Sequence, residues 1–112
     1  MKKLEIVIKP EKLEELKLIL DKSQANGLMI TNIMGYGNKK GFRHMYRGAE
    51  YKVNLLPKIK VETVVDDVAA NEIIENVVEQ INTGNYGDGK IFVYDVEDAV
   101  RIRTGERGMD AL

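Results

Sequence analysis

The sequence predicts an α+β domain in which two helices cover one face of a four-stranded antiparallel sheet, on three observations. Strand-type runs fall at residues 3–9, 29–36, 58–65 and 91–96. Apolar stripes of helical period follow the first and the third of them. Their order, strand, helix, strand, strand, helix, strand, is the split βαβ arrangement. With 112 residues and 44% hydrophobic content the chain is one domain, 1–112, large enough to bury about two-thirds of the surface its unfolded form exposes.

In the first strand Leu4, Ile6 and Ile8 alternate with Lys3, Glu5, Val7 and Lys9, leaving Val7 as the apolar exception on the polar side. Pro10 then suits the first turn of a helix, Glu11, Glu14 and Glu15 lie near its positive end, and Leu13, Leu16, Ile19 and Leu20 form its core stripe. Asn26-Gly27 is the expected stop. Residues 29–36 are β-branched and apolar enough for strand two.

Residues 38–55 show no sustained period, and 18 residues exceed the roughly 12–15 beyond which an unstructured loop usually has a function. The segment holds Lys39, Lys40, Arg43, His44, Arg47 and Lys52 with Tyr46 and Tyr51. It reads as a contact arm, or as an extended hairpin that only solubilises the surface. Residues 58–65 alternate again, with Val64 interrupting the charged side. Asp66 or Asp67 can cap helix two, whose Ile73, Ile74, Val77, Val78 and Ile81 read as core. Strand four is apolar on both sides, so the sheet face away from the helices is expected to meet another subunit or a flat ligand such as a base. In an extended tail Arg101 and Arg103 would point the same way, a pairing suited to phosphate; a solvated charged tail is the other reading.

Composition excludes several classes. The chain has no cysteine and a single histidine, His44, which removes disulfides, thiolate metal sites and a Ser-His relay. A net charge of −1 supplies no long-range field for nucleic acid. The chain has no long apolar run and no signal-peptide core, so the expectation is a cytoplasmic protein without direct membrane insertion.

Between helix two and strand four lies Thr83-Gly84-Asn85-Tyr86-Gly87-Asp88-Gly89-Lys90-Ile91-Phe92-Val93. Glycine tolerates positive φ and lets a ligand approach main-chain amides, so Gly84, Gly87 and Gly89 with Lys90 can cradle an anion, phosphate above all. The spacing Gly84-x-x-x-x-Gly89-Lys90 matches most of a nucleotide-triphosphatase P-loop, yet Ile91 stands where that motif needs a hydroxyl, and a strand follows where it needs a helix. A phosphate cradle and a plain glycine-rich turn both remain open at this point.

Two stretches, Tyr46-Arg47-Gly48-Ala49-Glu50-Tyr51 and residues 83–93, resemble the two signatures of the PII nitrogen-regulatory signal-transduction proteins, and the similarity runs from Met1 through Glu106. The resemblance implies a ferredoxin-like homotrimer that binds ATP or ADP between subunits. It implies a phosphate-binding loop at 82–90 and a C-terminal loop at 98–112. Phosphates would be held by Gly37, Asn38, Gly87, Asp88, Gly89 and Lys90, with Arg101 and Arg103 from a neighbouring subunit. Val7, Met29, Gly35 and Val64 would form the adenine site. Residues 37–55, between strands two and three, would be the T-loop that enters partner proteins through residues such as Arg47 and carries the modifiable tyrosine at Tyr51.

The departures from the family pattern matter as well. Lys39 stands where glutamine helps ligate Mg²⁺ and place 2-oxoglutarate beside a lysine matched by Lys58, and an ammonium group repels a cation it cannot ligate. Asn38 replaces an arginine, Met29 a threonine, and Ala49 removes a phosphorylatable serine. The expectation is a non-enzymatic sensor of the ATP/ADP ratio with a weakened or absent 2-oxoglutarate response. Its partner would be a membrane transporter component or a metabolic enzyme, and the sensor would reach the membrane only through that partner. The alternatives are a conventional PII protein binding Mg-ATP with 2-oxoglutarate, and a slow ATPase.

Overall fold

A computed structural model describes residues 1–36 and 55–112, together with the backbone of 43–46 and 49–52. The strands are β1 (Lys2–Ile8), β2 (Met29–Tyr36), β3 (Arg43–Tyr46), β4 (Ala49–Lys52), β5 (Leu55–Val65) and β6 (Lys90–Asp95), and the helices are α1 (Leu13–Lys22) and α2 (Asp67–Ile81). Strands β2, β5, β1 and β6 pair in that order, all antiparallel, as the ferredoxin-like βαββαβ pattern requires.

Alternation puts Leu4, Ile6 and Ile8 of β1 and Ile59, Val61 and Val65 of β5 on the face that α1 and α2 cover. There they meet Leu16, Ile19 and Leu20 of α1 and Ala70, Ile73, Val77 and Ile81 of α2 in one core. Thr63 is buried among them, and its hydroxyl donates to the Gly27 carbonyl at 2.8 Å, so the one polar break in the β5 alternation is satisfied. The expected stripe of α1 is confirmed, with Leu13 partly buried at its edge. In α2 one residue departs from expectation: Val78 is 57% exposed, beyond the arc that faces the sheet.

Helix α1 stops four residues before the expected Asn26-Gly27. The Ala25 amide donates to Leu20 O at 3.1 Å and the Gln24 amide to Asp21 O at 3.1 Å, the paired bonds of a Schellman stop. The left-handed position is Gln24, at φ 57°, where glycine is the usual occupant. Gln24→Gly should therefore raise unfolding free energy by up to about 1 kcal/mol, read as a higher urea midpoint at constant slope. An unchanged or lower midpoint contradicts this. At the other helix the Asp66 side chain caps α2 by accepting from the Ala69 amide at 2.7 Å.

Strand boundaries also move, and β1 begins and ends one residue earlier than expected. The arm read without period holds a ribbon, β3 with β4, whose register pairs His44 with Tyr51. It forms a sheet of its own, so no face need be uniformly apolar and no alternation reaches the sequence. β5 begins at Leu55, three residues before the expected start. Pro57, which cannot donate to a ladder, falls where β5 pairs with β2 alone, since β1 joins only from Ile59. β6 begins and ends one residue earlier than expected.

The face away from the helices carries Lys3, Glu5 and Val7 of β1, Lys60, Glu62 and Val64 of β5, and Phe92 and Tyr94 of β6, by register. Lys3 pairs with Glu62 at 3.2 Å and Lys60 with Glu5 at 3.8 Å. The Tyr94 hydroxyl donates to Glu5 at 3.1 Å, which raises its pKa, and the Lys3 ammonium lies 5.1 Å from the Tyr94 ring centre. Val7 and Val64 stand on this face as expected.

Candidate functional site

The loop between α2 and β6 is shaped by one carboxylate. Asp88 accepts from the Thr83 hydroxyl, from the Thr83 amide at 2.8 Å and from the Gly84 amide at 3.1 Å, and lies 3.7 Å from the Lys9 ammonium. The Thr83 hydroxyl is the largest cause that holds the Asp88 pKa below its ordinary value, followed by the Thr83 amide. The Asn82 side chain adds a bond to the Gly84 amide at 2.7 Å. Asp88 was expected among the phosphate-binding residues. Its side-chain bonds organise the loop.

Gly84, Gly87 and Gly89 all take positive φ, at 79°, 89° and 113°. At Gly89 a Cβ would stand 1.8 Å from the Val7 carbonyl oxygen, so the backbones of the loop and β1 approach as only glycine allows. The Gly87 carbonyl accepts from the Lys58 ammonium at 2.6 Å, and Lys58 reaches it past Gly35, where a Cβ would press to 3.0 Å from the lysine stem. Lys9, Lys58 and Lys90 thus surround the loop with positive charge. Val7, Gly35, Lys58, Gly87, Asp88, Gly89 and Lys90 are together at this end of the sheet.

The remaining described candidates lie at the other end. Met29, Val64 and Arg101 line a cleft of about 740 Å³ with Gly27, Glu62, Met109 and Leu112, a volume in the range of small-molecule sites. Arg101 donates to Glu106 at 2.9 Å and to the Leu112 carbonyl at 3.1 Å. The tail is not extended: residues 99–108 double back through a turn that bridges Val100 to Arg107, with Arg103 exposed at its tip. The period-two alignment of Arg101 with Arg103 therefore does not apply.

Along β5, Gly35 is opposite Leu56 while Val64 is eight residues further on, about 26 Å at strand rise. One chain cannot bring Gly35 and Val64 to one ligand, so the four adenine candidates divide, Val7 and Gly35 with the glycine loop, Met29 and Val64 with the arginine cleft. Gly37, Asn38, Lys39 and Arg47 lie outside the described residues, as does the Tyr51 side chain.

Sequence reasoning missed Lys9, Asn82 and Thr83 around the loop, and Glu106 beside Arg101. Thr83 and Asp88 carried a signal, a hydroxyl and a carboxylate at the two ends of a glycine-rich turn. Among the described residues no three of His, Cys, Asp and Glu are grouped to hold a metal, and no helix is long and apolar enough to cross a membrane.

Comparison with known proteins places these features in context. The family model for nitrogen regulatory protein P-II matches residues 1–106. The chain is 50% identical to the nitrogen regulatory protein P-II of Rhodospirillum rubrum and 50% identical to that of Haemophilus influenzae, over 112 residues and the whole of each chain. The Azospirillum brasilense protein of the same name is 49% identical over the same span.

Proposed function

The chain belongs to the P-II family of nitrogen regulatory proteins, and from that premise we propose that it binds ATP and ADP in competition, in clefts closed between the subunits of a homotrimer. One observation carries the reading. The glycine loop with its three lysines and the cleft with its arginine stand at opposite ends of one sheet, so a single ligand can use both only if they come from different copies. Phosphate oxygens would meet Gly87, Gly89 and Lys90 of one subunit and the forked guanidinium donors of Arg101 and Arg103 of the next. The base would lie between Val7 and Gly35 on one side and Met29 and Val64 on the other.

The nucleotide would act by its differential affinity for two arrangements of residues 37–55, the segment that would engage a partner, a transporter component or a metabolic enzyme. Lys39 replaces a ligating side chain with an ammonium group, so Mg²⁺ would be held weakly and 2-oxoglutarate, which depends on it, bound weakly or not at all. The site offers no evident general base among the described residues, and the function is regulatory. The working place is the cytoplasm, with the membrane reached through the partner.

Calorimetric titration with ATP and with ADP, each with and without Mg²⁺ and 2-oxoglutarate, tests this. The expected result is competing nucleotide binding that 2-oxoglutarate scarcely changes. Tight 2-oxoglutarate binding that needs Mg-ATP overturns the Lys39 argument, and absence of nucleotide binding overturns the whole reading. In the same titration Arg101→Ala with Arg103→Ala should weaken ADP about 30-fold or more, on the loss of charge-assisted bonds to phosphate. Unchanged affinity in a folded variant removes both arginines from the site.

A further inference from the structure

The turn that carries Arg101 and Arg103 has almost no apolar support, for Val100 is 56% exposed and Ile102, between the two arginines, 99% exposed. Its shape has to come from polar contacts. Backbone bonds join the Gly108 amide to Ala99 O at 2.9 Å, the Arg101 amide to Glu106 O at 2.9 Å and the Gly105 amide to Arg101 O at 2.7 Å. One side chain closes the base of the turn. Oδ1 of Asp98 accepts from the amides of Ala99 at 2.8 Å and Gly108 at 3.1 Å, while Oδ2 accepts from Arg107 Nε at 2.8 Å and from Arg107 Nη2. The bond to Arg107 is the largest cause of an Asp98 pKa below its ordinary value. Neither Asp98 nor Arg107 lines the cleft beside Arg101, so neither is placed to touch what the cleft holds.

We infer that Asp98 and Arg107 are positioning residues, a clasp that fixes the turn so that Arg101 and Arg103 face the phosphates of a bound nucleotide. The inference rests on the nucleotide reading above. A ligand binds only the fraction of chains whose turn is formed, so its apparent affinity falls in proportion when the clasp is lost. The core does not depend on the turn: opening it exposes little that was buried, and the loss stays local.

The test uses the full-length chain, titrated with ADP by calorimetry, with hydrogen exchange at the Gly105 and Gly108 amides followed without nucleotide. Asp98→Ala should weaken ADP about tenfold and speed exchange at both amides, with an unchanged thermal midpoint. Arg107→Ala, which leaves the carboxylate for the two amides, and Asp98→Asn, which leaves an oxygen, should each weaken ADP about threefold. Asp98→Ala with the affinity of the unsubstituted chain overturns the inference while the nucleotide reading stands. Weaker binding without faster exchange also overturns it, since the turn would then be in place. An unsubstituted chain that binds no ADP overturns both.

Discussion

Gly89→Ala will detach the glycine loop from β1 and destabilise the chain by about 2–4 kcal/mol, the sum of a strained backbone and an overlap that has to be relieved. At φ 113° a side chain is already disfavoured, and its Cβ would stand 1.8 Å from the Val7 carbonyl oxygen and 2.9 Å from the carbonyl carbon. Backbone cannot rotate away as a side chain can, so either β1 or the start of β6 has to shift, and Val7 and Lys90 are direct partners in that ladder. Gly84→Ala is the control. It also sits at positive φ, 79°, but its Cβ would meet nothing within 4 Å, so only the conformational cost of about 1–2 kcal/mol applies. Urea unfolding of both variants measures the difference. A Gly89→Ala chain as stable as Gly84→Ala would show that the close approach to β1 is not the reason for glycine there.

Ile6→Ala is expected to cost about 3–4 kcal/mol. Ile6 is 0% exposed and lies in the middle of β1, paired with Val61 on one side and Ile91 on the other, so neighbouring strands hold the walls of the cavity apart. Val7→Ala, one residue along, faces away from the helices and should cost under about 1.5 kcal/mol in an isolated subunit. Denaturant midpoints at constant slope compare the two. Equal costs would mean that the sheet's two faces are not divided into core and open face as described.

Elements with one buried side were legible in the sequence, because burial imposes a period. β1, α1 and most of α2 were readable for that reason, and Val7 and Val64 were correctly set on the other face by being apolar where charge was expected. What failed was local. Gln24 stops α1 by adopting a glycine's backbone conformation, which no composition announces. Pro57 concealed the first residues of β5, because only the pairing scheme reveals that it falls where the strand has a single neighbour. The ribbon of β3 and β4 lies outside the main sheet and leaves no period to read. In the candidate site, residue types were legible but their grouping was not: that Gly35 and Val64 stand about 26 Å apart follows from register, which needs the fold.

β5 is a single strand of 11 residues, whose first residue follows the arm and whose last lies in the wall of the arginine cleft. On the way Lys58 ties it to the glycine loop at Gly87. At strand rise it is about 33 Å long, laddered to β2 at its start and to both β2 and β1 further on. One continuous strand therefore carries a residue of each group, Lys58 beside the glycine loop and Val64 in the wall of the arginine cleft, six residues or about 20 Å apart.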